Sequence, residues 1–63
     1  MNDDLYEIVA WHENGRESIH RRLSDGVLVK ATKHAGGRTT QIIGESVVTH
    51  ALHLQQWHFP AVT

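Results

Sequence analysis

Hydrophobic segments in the first 45 residues of this chain are punctuated at regular intervals, and in the last third the period of apolar positions changes. Asn14-Gly15, Asp25-Gly26 and Gly36-Gly37 lie 11 residues apart, each between segments rich in β-branched residues. Such dipeptides accept positive φ and close β-hairpins. The pattern predicts strands near 5–13, 16–23, 27–34 and 38–43, joined as an antiparallel meander. Beyond Gly44, the residues Val47, Val48, Ala51, Leu52 and Leu54 fall within about 160° of a helical wheel. Ser46, Thr49, His50, His53 and Gln56 take the other side. Ser46 suits an N-cap and Pro60 blocks continuation, which predicts a helix over 46–57.

Strand register decides which side chains share a face, because a slip of one residue reverses it. A two-residue loop at Asn14-Gly15 pairs Ala10 with Ile19 and Glu7 with Arg22. A three-residue loop at Ser24-Asp25-Gly26 pairs Leu23 with Val27 and Ile19 with Ala31. A loop at Gly36-Gly37 then pairs Ala31 with Ile42. These registers collect Tyr6, Ile8, Ala10, Ile19, Leu23, Val27, Val29, Ala31 and Ile42 on one face, with Arg21 as its charged intruder. The helix stripe has the length to cover that face. The expected fold class is therefore α+β: a four-stranded antiparallel meander with one C-terminal helix packed on one face. The alternative is a short helix at 16–24, with Ile19 and Leu23 at i,i+4, in place of the second strand.

Composition narrows the class further. Sixty-three residues allow a single small domain spanning 1–63, and 40% apolar with 21% charged residues is a globular balance. The chain has no cysteine, so no disulfide and no Cys-based zinc site is available. MNDDLYEIV lacks the features of a signal peptide, and no run reaches the roughly 20 apolar residues of a membrane span. A cytoplasmic location and no membrane association are expected. Net charge is only −1, but it is unevenly spread. Residues 1–15 hold Asp3, Asp4, Glu7 and Glu13 with no base. All six bases lie in 16–38, against Glu17 and Asp25.

The second sheet face is expected to carry Glu7, Val9, Trp11, Ser18, His20, Arg22, Leu28, Lys30, Thr32, Gln41 and Ile43. An aromatic among cations on an open sheet can stack bases and meet phosphates, while its apolar members fit a protein interface. Trp57 falls on the polar side of the predicted helix, near His50 and His53, and is followed by Phe59-Pro60. Two outcomes stay open there: aromatic anchors for a partner, or a helix that ends earlier with the Trp57 ring folded back over the core. His50, His53 and His58 invite a metal, yet no further ligands are placed to complete a site, so neither metal nor cofactor is expected. Gly36-Gly37-Arg38 fits a hairpin tip better than a phosphate cradle. No nucleophile or cofactor motif occurs, and the chain is expected not to be an enzyme.

The sequence thus points to a small protein-binding module, a regulator or inhibitor of a larger macromolecule or complex. Trp11, His20, Arg22, Lys30, His50, His53, Trp57 and Phe59 are its candidate contacts. The alternative is single-stranded RNA or DNA bound through Trp11, His20, Arg22, Lys30, Lys33 and Arg38. A homodimer is also expected, because a core of this size gains only about 3–5 kcal/mol. Its interface is expected at the fourth strand, which is uncharged after Arg38, with Ile43 against its symmetry mate.

Overall fold

In a computed structural model of the chain, residues 4–60 are described. The strands form within one residue of the predicted ends: β1 (Tyr6–His12), β2 (Glu17–Arg22), β3 (Leu28–His34) and β4 (Gly37–Ile43). They pair antiparallel in sequence order, and residues 17–22 are strand, which removes the alternative helix. After β4 comes α1 (Glu45–Leu52), then a two-residue strand β5 (Trp57–His58) that pairs antiparallel with Trp11 and His12 of β1. The sheet order is β4-β3-β2-β1-β5, a fifth strand more than expected.

The turns lie where the glycines predicted, but two register details differ and together they redistribute the faces. Tyr6 to Ile8 pair with Arg22 to His20, whereas Ala10 pairs with Ile19, so Val9 forms a β-bulge. The Ala10–Ile19 pair is as expected. Glu7, however, stands opposite Arg21, not Arg22. Between β2 and β3 the loop is four residues, Leu23–Gly26. The Arg22 amide donates to the Val27 carbonyl at 2.8 Å, and Ile19 pairs with Lys30 instead of Ala31. Gly26 takes φ +76°, the left-handed conformation that closes this loop, and the Asp25 carboxylate accepts from the Val27 amide at 3.1 Å. The third loop is Ala35-Gly36, so Ala31 pairs with Thr40 and not with Ile42. That difference of two residues leaves the face unchanged.

The outcome is an inner face bearing Ala10, Ile19 and Leu28, which form the buried cluster. Val9, Ile43, Val48, Trp57 and Phe59 pack against it. Tyr6, Ile8, Val29, Ala31 and Ile42, expected on the same face as Ile19, instead point to the other side. Conversely Glu7, Val9, Leu28, Lys30, Thr32, Gln41 and Ile43, expected on the open side, belong to the inner one. Leu23 is an exposed loop residue, and Arg21, on the inner face, bonds Glu7 at 2.8 Å.

The helix is shorter than the wheel predicted. It starts at Glu45 after Gly44 in an extended N-cap conformation, with no side-chain cap from Ser46, and stops at Leu52. The adjacent β-branched pair Val47-Val48 gives it little propensity of its own. Of the expected stripe, Ala51 is buried and Val48 reaches the cluster, while Val47, Leu52 and Leu54 are left exposed. No helix among the described residues is long and apolar enough to cross a membrane.

Candidate functional site: the open face of the sheet

The outer side of the meander is a continuous surface built from alternate residues of four strands. Three rows cross it: Tyr6 and Arg22; Ile8, His20, Val29 and Ile42; and Trp11, Ser18, Ala31 and Thr40. Lys33 and Arg38 form a fourth row at the hairpin end. Tyr6, Ile8 and Trp11 are each at least 40% exposed, and Ile42 is 73% exposed. Tyr6, His20, Val29, Ala31, Arg38 and Thr40 line an open depression of about 430 Å³ on this surface.

Charge is segregated between the two faces. On the inner face each strand cation has a carboxylate: Arg21 meets Glu7 at 2.8 Å and Lys30 meets Glu17 at 3.1 Å. The hydrogen bond from Lys30, then that from Asn14, holds the Glu17 carboxyl below its ordinary range. On the open face no strand carboxylate occurs. Arg22 is held by loop residue Asp25 through two bonds of 2.9 and 2.8 Å. That fork lowers the Asp25 carboxyl and, with a further contribution from Tyr6, raises the Arg22 guanidinium.

Of the six bases, Arg16, Lys33 and Arg38 have no carboxylate in ionic reach among the described residues, and all three lie at one end of the sheet. The Lys33 amide donates to the Arg16 carbonyl at 2.8 Å, which ties the two hairpin ends together. Arg16 and Lys33, with Gly15, His34 and Ala35, line a second open depression of about 540 Å³.

His20 stands between Ile8 of β1 and Val29 of β3. Its Nε2 is 2.8 Å from the Ser18 hydroxyl. Burial, and secondarily the Arg38 charge, lower its pKa below the ordinary value of 6.5, so the neutral ring is favoured near neutral pH. Among the described residues no carboxylate bonds this ring, and Glu7 is engaged with Arg21 on the inner face.

The candidate residues therefore separate into groups. Trp11, His20 and Arg22 share the open face, as do Lys33 and Arg38. Lys30 does not, because the β2–β3 register turns it inward beside Ile19 and Glu17. His50 is exposed on α1, and His53 is the exposed C-cap that follows it. Trp57 takes the folded-back course: it packs on the core cluster, edge-on to His12 with ring centroids 5.0 Å apart, and Phe59 packs there too. Ile43 likewise faces the cluster, and its neighbour Ile42 is the exposed one.

Sequence reasoning missed Tyr6, Ile8, Val29 and Ile42 as surface members, since the Val9 bulge and the four-residue loop carry no residue-type signal that separates them from regular pairing. Among the described residues, no three His, Asp or Glu side chains converge as metal ligands. The surface offers stacking through Trp11, apolar contact through Ile8, Val29 and Ile42, and charge through Lys33 and Arg38. No protein-family model, no curated protein and no solved structure matches this chain, so the geometry of this face alone carries the functional reading.

Proposed function

We propose that the chain is a non-enzymatic protein-binding module of the cytoplasm, a regulator of a larger complex, acting as a homodimer. Its open sheet face is the docking surface. The observation that carries this reading is the apolar set on this face, Tyr6, Ile8 and Trp11 of β1 and Ile42 of β4, exposed on either side of His20 and half-buried Val29, while the buried cluster of Ala10, Ile19 and Leu28 lies on the opposite face. Large apolar side chains exposed together on one face mark interaction sites in small proteins. Arg16, Lys33 and Arg38 at its end favour a partner that presents acidic side chains beside apolar ones. Affinity capture from cells with the wild-type chain and an Ile8→Lys/Ile42→Lys variant tests this. Both substitutions fall on exposed positions, so the variant should stay folded and lose the captured protein. Retention of the same protein by the variant contradicts the proposed surface.

A second reading, single-stranded nucleic acid, is favoured by the placement of Trp11, His20, Arg22, Lys33 and Arg38 on that same face. It requires affinity for an oligonucleotide to fall steeply as salt rises, with a shallower slope for Lys33→Ala/Arg38→Ala. Affinity that is the same at low and high salt excludes it.

A further inference from the structure

The two edges of the sheet are protected very differently. On the β1 side, β5 covers Trp11 and His12, Val9 bulges, and Asp4 and Glu7 lie along the remaining half. Bulges, charges and covering segments are the devices that keep an edge from pairing. On the other side, among the described residues, β4 has neither a bulge nor a covering segment. Its seven residues follow β3 in unbroken register, all but Ile43 are exposed, and Arg38 is its single charge.

Hydrogen bonding along this edge follows from the hairpin. The two-residue loop Ala35-Gly36 makes His34 and Gly37 a hydrogen-bonded pair. Alternation along the ladder then turns the main-chain N–H and C=O groups of Arg38, Thr40 and Ile42 away from β3. The core offers little stability in reserve: among the described residues its buried cluster is Ala10, Ile19 and Leu28, and the other buried apolar residues, Ala31 and Ala51, are alanines.

We infer that two copies of the chain pair antiparallel along β4, about a twofold axis at Thr40, to form one continuous sheet. This rests on the homodimer reading and names its interface. Thr40 is the midpoint of Gly37–Ile43, so that axis alone engages all seven residues. It sets Arg38 beside Ile42 of the second copy and Thr39 beside Gln41 of the second copy. The Arg38 stem then lies along an isoleucine that is 73% exposed in one copy, with its charged head free to reach water. An axis at Arg38 would instead bring two guanidinium groups face to face, an unfavourable cross-strand pair. In the Thr40-centred arrangement the open faces of both copies join, so a docking partner meets a surface twice as wide.

Sedimentation equilibrium and amide exchange, on the wild type and on Thr40→Pro, test the interface. Proline at 40 removes only an outward N–H and is compatible with an edge strand. The expected result is a wild-type dimer in which the Arg38, Thr40 and Ile42 amides exchange slowly. In Thr40→Pro the dimer dissociation constant should rise on the order of tenfold or more, since each copy loses a bond. A dimer unchanged in Thr40→Pro, with those three amides exchanging freely in the wild type, overturns the β4 interface and leaves the homodimer standing. A 7.1 kDa species persisting at high micromolar concentration overturns the homodimer itself. If Thr40→Pro fails to fold, Thr40→Cys decides, because it is the only thiol in the chain. A short bis-maleimide should then link two copies in high yield, and no link overturns the interface.

Discussion

Lys33 and Arg38 stand directly opposite each other in the β3–β4 ladder, two cations on one face with no carboxylate in ionic reach among the described residues. A facing pair of like charges destabilises a sheet. Its presence at the end of an apolar surface is what an acidic partner would use, and the free protein carries the repulsion.

Arg38→Glu should therefore stabilise the isolated protein. It replaces a repulsive cross-strand pair with an attractive one, worth about 0.2–1 kcal/mol. Thermal denaturation at low ionic strength should show a higher Tm than the wild type, with the gain shrinking as salt screens both pairs. At a protein concentration where the chain is monomeric, a lower Tm would contradict the repulsion between Lys33 and Arg38.

Acid should weaken the fold in two separate steps. The folded His20 pKa is depressed, chiefly by burial and then by Arg38, so protonation favours the unfolded chain. Its penalty is absent well above pH 6.5 and grows as pH falls through that value, until folded His20 itself takes a proton. Glu17 is also depressed, chiefly by the Lys30 bond, so its contribution is present above pH 4.5 and is lost below, as pH falls through its folded pKa. Urea melts from pH 8 down to pH 3 should show both losses. His20→Asn should flatten the first step and Lys30→Gln the second.

Adjacent isoleucines of β4 should respond in opposite ways. Ile42 is exposed on the open face, so Ile42→Lys should change monomer stability by no more than about 0.5 kcal/mol. Ile43 packs on the core cluster, and Ile43→Lys should cost about 2 kcal/mol or more. Ile19→Ala, at a fully buried position, should cost about 2–5 kcal/mol. Chemical denaturation at low protein concentration separates these. Equal effects at 42 and 43 would contradict the face assignment.

Gly26 and Gly36 should also differ. At φ +76° an L side chain is strained whatever the space, so Gly26→Ala should lose about 1–2 kcal/mol. At Gly36 φ is not positive and an added Cβ meets only the His34 ring, at 3.6 Å and beyond. Gly36→Ala should be near neutral by the same denaturation measurement.

The strands were legible because turn chemistry is local: Gly15 and Gly26 both adopt the positive φ that their dipeptides announced. The faces were only half legible, because they depend on parity. A glycine at 26 closes a three- or a four-residue loop equally well, yet the choice decides whether Ile19 opposes Ala31 or Lys30. The Val9 bulge involves no glycine or proline, and it alone separates Glu7–Arg21 from the expected Glu7–Arg22 pair. Trp11, His20 and Arg22 stayed on the open face because the bulge and the longer loop leave those positions in phase. Lys30 moved because it lies beyond the longer loop. The helix end was illegible for a different reason: the wheel kept its period through Leu54, and pairing of Trp57–His58 with β1 is a tertiary event.

The claim that the open face meets a protein is tested most directly by a photo-reactive residue placed on each face in living source cells. Ile8 is exposed on the open face, and Thr39 is an exposed position on the inner side. From position 8 the account predicts a cross-link to a protein other than this chain, with none from position 39. Cross-linking to nucleic acid from position 8, or to the same protein from both positions, would contradict it.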